Sequence, residues 1–579
     1  MVTTSTHHQQ HTFRCGTHSK YHMKVKFIAN NPHYYDNNPA HSDHGKKGEW
    51  CVISSSYFAL RHWYTLRGLH NDRVQWQVPD IVCTENAQLQ LESLLRDPPD
   101  VLALGVFIWN EQTQHWLARE FKRHHPGCLI IMGGPQLTAH KHRDFFDRHP
   151  HVDWAVYGDG ERPFQQILDR ACDPSSVPDS QIVNAVTLQD GVYHCYPYEL
   201  LSDHKYLATS MWLDQEQEIL RVLQDLNARN IPTSHIKFTV EFARGCMYNC
   251  TFCDWSQNLT SKVKRRRQDW KQEMELFHRL DLPVRESDAN FGQWPEDLEI
   301  FEYANSLTSP GRNFYFIPKN TPKIKKHSIL YIMRRCFEVH GTQYPFQDWA
   351  LQDPDPRVLE AVDRPSIPFD EICAMVRELN ETAGPAVANL HAAQLIIALP
   401  EQSLNSWSVS LQRIWNEAKI KNMHAQSWEL LPNSPGYDPA YRARYEIRSI
   451  RAYVANSIHD PRAATLEDLY TKCATNTEVN HWYSTTDMVT NTSTMSFVES
   501  IAANLIISYI QRIVPLKRTM DFMISDSDRV RLVAKSLKQA TQYHQQIKTY
   551  MDRYGFVIMG ERLPDGKIKN SPLPLQPWN

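Results

Sequence analysis

Three cysteines stand close together: Cys246, Cys250 and Cys253, in the segment Glu241 to Trp255 (EFARGCMYNCTFCDW). Three thiolates spaced Cys-x3-Cys-x2-Cys can wrap one metal centre, and thiolate donors suit iron–sulfur or zinc. A structural zinc wants a fourth ligand to close its tetrahedron. No second Cys-x2-Cys and no histidine pair of finger-like spacing follows nearby. Three ligands to a four-iron, four-sulfur cluster leave one iron open to a substrate or cofactor. A zinc loop or a chance grouping is the alternative. The chain holds 12 cysteines, and the other nine are scattered, so they read as reduced thiols rather than a disulfide framework.

Two glycine-rich segments could also receive a ligand. Gly133-Gly134-Pro135 follows one apolar run, and Gly158-Asp159-Gly160-Glu161 follows another. Glycines at strand ends let a bulky group approach the backbone, although simple turns use the same residues. Lys262 to Arg267 (KVKRRR) is a basic run that could meet phosphate or nucleic acid, or simply start a solvated helix. Residues 1–23, rich in His, Thr and Gln, read as a flexible tail, with a metal-binding histidine tract as the alternative.

The elements that must position these residues alternate between strand and helix. Over 24–180 the strand signals are Lys24–Asn30, Val74–Val82, Val101–Trp109, Cys128–Met132 and Trp154–Tyr157, with helical segments between them. Continuous apolar runs such as VLALGVFIW indicate strands buried on both faces, so this region predicts an α/β, doubly wound parallel sheet. Ligands of such sheets bind beyond the carboxyl ends of the strands, where the glycines lie. Residues 181–235 read as a linker, with a helix at Leu213–Arg229 leading out of it. Over 236–435 six strand signals recur: Lys237–Glu241, Pro283–Ser287, Asn313–Ile317, Thr342–Gln352, Gln394–Leu399 and His424–Leu431. Six β/α units are too few for an eight-stranded barrel and predict an open, partial (β/α)6 barrel. Residues 436–579 carry few strand signals and read as a mainly helical C-terminal domain, with helices at Met495–Val514 and Asp528–Tyr550. The cysteine segment then sits on the loop at the carboxyl end of the first barrel strand.

At this point a family resemblance enters. Cys246-x3-Cys250-x-Phe252-Cys253 resembles the signature of radical S-adenosylmethionine (SAM) enzymes, whose penultimate position is aromatic. The resemblance implies that the open iron chelates SAM, and that reduction cleaves SAM to a 5′-deoxyadenosyl radical. Glu286 to Gly292 (ESDANFG) resembles the segment that contacts the SAM amino group, which points to Ser287 and Asp288. Asp348 to Gln352 (DWALQ) resembles the fourth-strand segment of ribose and carboxylate contacts, which points to Gln352. Leu395 to Glu401 (LIIALPE) resembles the fifth-strand segment beside adenine, which points to Ile397 and Leu399. Leu430 to Pro435 (LLPNSP) resembles a sixth-strand ending. From the residues alone, Asp288 could equally be a turn carboxylate and Gln352 a satisfied interior amide.

The glycine segments ahead of this barrel resemble the cobalamin-binding, Rossmann-like domain of the cobalamin-dependent radical SAM subfamily. The resemblance implies a corrin across the strand ends, near Trp109, Asn110, Gly133, Gly134, Gly158, Gly160 and Glu161. One departure is plain: Asp-x-His-x-x-Gly, which supplies a lower-axial histidine in many cobalamin proteins, is absent, and His44 stands near that place outside the pattern. The cofactors implied are a 4Fe-4S cluster, SAM and cobalamin. The implied activity is methylation of an unactivated carbon of a small-molecule or peptide substrate. A cobalamin-dependent rearrangement, cyclisation or oxidation without methyl transfer, and a non-catalytic metal-binding protein, are the alternatives. No single residue is assigned as catalytic.

Composition bounds the remaining partners. At 579 residues about four domains fit. A net charge of −3 argues against a chain built around nucleic-acid electrostatics. The 41% of hydrophobic residues supply cores and exclude wholesale disorder. The run Val101–Trp109 is far short of the ~20 residues that span a bilayer, and the N-terminus lacks a charged start followed by an apolar stretch. A cytoplasmic enzyme is expected, with an electron donor such as flavodoxin or ferredoxin, and with neither membrane nor nucleic acid as a partner.

Overall fold

A computed structural model describes residues 22–31, 51–53, 55–82, 87–229, 236–256, 268–307, 314–316, 318–321, 325–340, 347–383, 391–454, 467, 470–471, 474, 484–513 and 525–559. The basic run Lys262–Arg267, the N-terminal tail up to residue 21 and the loop holding His44 lie outside the described residues. The described chain divides into two units, one within residues 22–229 and the other within 236–559.

The first unit is a mixed sheet flanked by helices. Its strands are β1 (Met23–Asn31), β2 (Val74–Trp76), β3 (Asp80–Val82), β4 (Val101–Gly105), β5 (Leu129–Gly133), β6 (Trp154–Val156), β7 (Ala185–Gln189) and β8 (Val192–Cys195). The order is β2-β1-β4-β5-β6-β7-β8, with β3 also on β1. The pairs β1/β4, β4/β5 and β5/β6 are parallel, aligned at Val25↔Val101, Leu102↔Ile130 and Ile131↔Trp154. Every residue of β4 is buried, as a strand covered on both faces requires. The helices are α1 (Ser56–Arg67), α2 (Ala87–Arg96), α3 (Glu111–His124), α4 (Phe145–Arg148), α5 (Glu161–Cys172) and α6 (Glu216–Ala228).

Residues 181–235, read as a linker, are largely folded. There β7 and β8 form a hairpin that extends the sheet antiparallel to β6, aligned at Ala155↔Val186. The sequence signal was weak because β8 alternates around exposed positions and the turn Asp190-Gly191 resembles loop chemistry. Helix α6 is bound to the same unit: Tyr57 donates to Glu218 at 2.7 Å, and Gln215 donates to the Phe58 carbonyl at 2.8 Å.

The second unit opens with three parallel strands, β9 (Ile236–Val240), β10 (Val284–Glu286) and β11 (Phe314–Tyr315). A second parallel set follows: β12 (Gln347–Gln352), β13 (His391–Ile397) and β14 (Asn422–Ser427). The helices between these strands are α7 (Trp270–Arg279), α8 (Pro295–Leu307), α9 (Lys326–His340), α10 (Phe369–Ala383) and α11 (Leu404–Asn416). Helix α11 starts on a capping box in which Ser403 and Ser406 satisfy each other's backbone N–H groups.

Beyond residue 436 helix outweighs strand, with α12 (Phe497–Ile513) packed against α13 (Asp526–Tyr554). The region nevertheless carries strands that the sequence reading did not expect. There β17 (Ser484–Asn491) pairs antiparallel with β16 (Arg448–Val454) and with β15 (Glu429–Leu430), the end of the strand expected at His424–Leu431, and β18 (Val557–Met559) lies parallel to β16. These strands are polar (STTDMVTN, RSIRAYV), so hydrophobic alternation did not reveal them; pairing with one another stabilises them. One apolar core runs from the second parallel set into this region, with Trp349, Trp407 and Trp428 almost wholly enclosed. Among the described residues no helix is long and apolar enough to cross a membrane.

Candidate functional site

The three cysteines lie on the loop that leaves the carboxyl end of β9, followed by a short turn at Asp254–Ser256. Gly245, at φ 90°, turns the backbone into Cys246, a conformation that favours glycine. Cys250 is buried, and Cys246 and Cys253 are half-buried. One backbone N–H and one side-chain amide point at sulfur: Trp255 N donates to Cys253 Sγ at 3.4 Å, and Asn290 Nδ2 donates to Cys246 Sγ at 3.3 Å.

Three separate segments clamp the loop. The first follows β10, where Asp288 Oδ1 accepts from Phe242 N at 2.8 Å and Ser287 donates through both N (2.8 Å) and Oγ (3.0 Å) to the Val240 carbonyl. The second is 361–364: Val362 accepts from Thr251 N at 2.9 Å. The third is 436–441, where Gly436 N donates to the Thr251 carbonyl at 2.6 Å and Tyr441 bonds Thr251 Oγ1 at 3.1 Å. A Cβ on Gly436 would stand 2.5 Å from the Thr251 carbonyl oxygen and 2.7 Å from the Trp428 ring, so only glycine lets the two segments meet.

Electrostatics give the sulfurs a defined character. Burial pushes the Cys253 thiol up to about 11, and the neighbouring Cys250 and Cys246 add to the rise while Trp255 N–H opposes it. Burial also raises Cys250, against the Arg364 guanidinium beside it. Burial thus favours the protonated thiols of Cys250 and Cys253, and a metal ion bound there would displace those protons. The donor set therefore fits a thiolate-bound metal cluster. Asp288 is fully enclosed, and burial pushes its carboxyl up to about 8 despite hydrogen bonds from Ala243 and Phe242.

The other positions singled out for SAM fall around this loop or in the adjoining core. Gln352 ends β12 at φ 56°, and its Oε1 accepts from Arg364 Nε at 2.8 Å. That bond joins β12 to the 361–364 clamp beside Cys250. Phe252 packs against the large core, and Ile397 and Leu399 lie fully inside it. Residues of this neighbourhood that sequence reasoning missed are Asn290, Arg364, Gly436 and Tyr441. Asn290 and Gly436 stood inside quoted or adjoining motifs; Arg364 and Tyr441 carried no local signal, because only tertiary contacts bring them to the loop.

The glycine strand ends of the first unit divide into two kinds. Gly134 (φ 129°) and Gly158 (φ 69°) occupy backbone conformations that other residues resist, and a Cβ on Gly134 would lie 2.3 Å from the Val106 carbonyl oxygen. Gly133 and Gly160 have no such demand: an added Cβ would find its nearest neighbour at 3.7 Å in each case. Asn110 is buried and shapes the turn before α3, accepting from Phe107 N at 2.7 Å and donating to the Gly105 carbonyl at 3.0 Å. Trp109 stacks on Phe107 with ring centroids 4.8 Å apart. Glu161, buried at the start of α5, accepts from Tyr206 at 2.9 Å.

With this geometry in place, comparison with known proteins is informative. No protein-family model matches the chain. It is 28% identical over 386 residues to the cobalamin-dependent radical SAM methyltransferase TokK of Streptomyces tokunonensis, covering 64% of this chain and 53% of that protein. It is 29% identical over 371 residues to the 2-(S-pantetheinyl)-carbapenam-3-carboxylate methyltransferase of Streptantibioticus cattleyicolor, covering 62% and 51%. The chain thus spans about half the length of the curated relatives it matches. Among solved structures it shares its fold with TsrM of Kitasatospora setae, a radical SAM methyltransferase solved with cobalamin and a [4Fe-4S] cluster: TM-score 0.54, 10% identity, covering 90% of this chain and 99% of that one. OxsB, a cobalamin-dependent SAM radical enzyme solved with aqua-cobalamin and SAM, gives a TM-score of 0.52 at 13% identity, covering 92% and 73%. These comparisons relate the chain, by sequence and by a mixed α/β fold, to the cobalamin-dependent radical SAM proteins.

Proposed function

We propose that the chain is a radical SAM enzyme that uses a 4Fe-4S cluster and cobalamin to methylate an unactivated carbon of a small-molecule or peptide substrate. The carrying observation is the Cys246, Cys250 and Cys253 loop at the end of β9, held by three separate segments and offering three sulfur donors. The names of the two sequence relatives support methyl transfer. We assign 24–180 to cobalamin binding, 236–435 to an open (β/α)6 radical SAM barrel and 436–579 to a mainly helical C-terminal domain. The enzyme is expected in the cytoplasm with a flavodoxin- or ferredoxin-type donor.

The cysteines would hold the cluster, and Ser287, Asp288, Gln352, Ile397 and Leu399 would bound the SAM site. Trp109, Asn110, Gly133, Gly134, Gly158, Gly160 and Glu161 would border cobalamin. Bound together, these groups supply reductive cleavage of SAM and a methyl carrier. The chain's own part is positional. Asn290 and Trp255 N–H set the sulfur environment, and hydrogen bonds to cluster sulfurs tune such centres. Asp288 holds the loop through Phe242 and offers a carboxylate that an ammonium would ionise. Gly133 and Gly160, with no steric need to be glycine, leave backbone open to a large planar ligand.

The test is anaerobic reconstitution with iron, sulfide and cobalamin, then turnover with methyl-labelled SAM, a reductant and a pantetheinylated carbapenam as first probe. Label in the product with release of 5′-deoxyadenosine supports this reading. Deoxyadenosine without product methylation shifts it to rearrangement, cyclisation or oxidation. A protein that takes up no iron and shows no visible cluster absorption is not a radical SAM enzyme.

A further inference from the structure

A second group of metal-capable side chains lies in the first unit and has no part in the chemistry above. His115 stands one turn into α3, and His149 and His151 flank Pro150 between α4 and β6. One ring nitrogen from each lies within 4.8 Å of the others. His115 Nδ1 and His151 Nε2 are 3.1 Å apart. Nitrogens sharing a tetrahedral ion at a metal–nitrogen distance of about 2.0–2.1 Å stand roughly 3.3 Å apart, so this spacing is already close to a ligand set. The rings of His115 and His149 stack at 4.0 Å, while His151 stands edge-on to both, at 83° and 88°; an imidazole lone pair lies in its ring plane, so His149 must turn out of the stack to share an ion with His115.

We infer that His115, His149 and His151 form a binding site for a first-row divalent metal ion of the zinc class, with a fourth position left for water. Three imidazoles are the donor set that zinc, copper and nickel favour. His115 and His151 are buried and His149 is half-buried, which gives an ion a path of entry. Burial depresses all three rings, with His149 and His151 at about 4, so each is the neutral, ligating form at neutral pH. The cations that face the group are Arg119, Lys122 and Arg148. Each is paired, with Glu120 (3.1 Å), Asp153 (2.7 Å) and Asp144 (2.9 Å), so the local field is compensated. A bound ion would tie α3 to the chain entering β6, and so brace the sheet.

The experiment uses the full-length protein with its cluster reconstituted, so that the cysteines are occupied, titrated with cobalt(II) and separately with zinc(II). One equivalent of cobalt is expected, with the comparatively intense visible d–d bands of a four-coordinate ion and no thiolate-to-cobalt charge transfer, together with a zinc-dependent rise in Tm. His149→Ala changes the most accessible ring, and His149→Gln keeps its bulk. Both are checked for a native circular dichroism spectrum, and both should weaken cobalt binding at least about 100-fold, because losing even an outer-shell partner costs 10–100-fold. The inference fails if wild type binds no cobalt beyond the cluster site, if the variants bind as wild type does, or if the spectrum carries a thiolate band.

Discussion

The cysteine loop of the second unit and the histidine group of the first are both sets of three metal-capable donors, yet they are built in opposite ways. In the loop, the donors are neighbours in sequence, and the fold's task is to restrain them: Asp288, Val362, Gly436 and Tyr441 each hold a backbone or hydroxyl atom of it. In the histidine group, two of the donors are 36 residues apart, and the fold itself makes the site by laying α3 beside the segment that enters β6. The first kind of site is a motif with supports; the second exists only as packing. Burial also acts differently on the two. It drives the thiols toward the protonated form that must be displaced, and the imidazoles toward the neutral form that already ligates.

The largest expected effect separates the sites outright. Cys250→Ala should abolish cluster absorption and bound iron after anaerobic reconstitution, with complete loss of SAM cleavage, while the histidine site keeps its nitrogen-only cobalt spectrum. Because this variant leaves Cys246 and Cys253 free to take cobalt, the histidine site is read there by the part of the cobalt binding that His149→Ala removes; if Cys250→Ala also erases that part in a protein with native circular dichroism, the two sites are not independent.

Next in size is the first unit's scaffold. Gly134→Ala forces a side chain into a left-handed backbone and onto the Val106 carbonyl, and should cost about 3 kcal/mol in a denaturation series. Gly133→Ala, where an added Cβ meets only ordinary contact, should stay within about 0.5 kcal/mol. If the two cost the same, the distinction between strained and open glycines is wrong.

A further effect is a change of slope. The folded state holds the Asp288 proton up to about pH 8, whereas an unfolded aspartate releases it near pH 4. The folded chain therefore binds the extra proton between those values. Its contribution to stability is full below about pH 4 and is lost as pH rises toward 8. Asp288→Asn keeps the oxygen that accepts from Phe242 and removes the titration, so its Tm should decline less over that window in metal-free protein. Parallel pH profiles for the two proteins would show that this carboxyl is ionised within the fold.

The reading of the chain from its letters succeeded where chemistry or burial is local. The spacing of Cys246, Cys250 and Cys253 needs no fold to be recognised, and the apolar runs of β4 and β5 announce buried strands because both faces are covered. It missed β7, β8, β16 and β17, whose partly polar or exposed residues are stabilised by neighbouring strands rather than by a periodic core face. Arg364 and Tyr441 escaped for the same reason: nothing near them in sequence says that Gln352 and Thr251 are their partners.

What the sequence determined by itself is the cysteine loop, the alternation of strand and helix and the glycines that end the strands, because each rests on neighbours along the chain. The tertiary structure alone decided which residues clamp that loop, which of the glycines are strained, and that three histidines from two elements share one place. Those outcomes depend on contacts between segments distant in sequence, and such contacts arise only when the apolar faces of those segments are buried together.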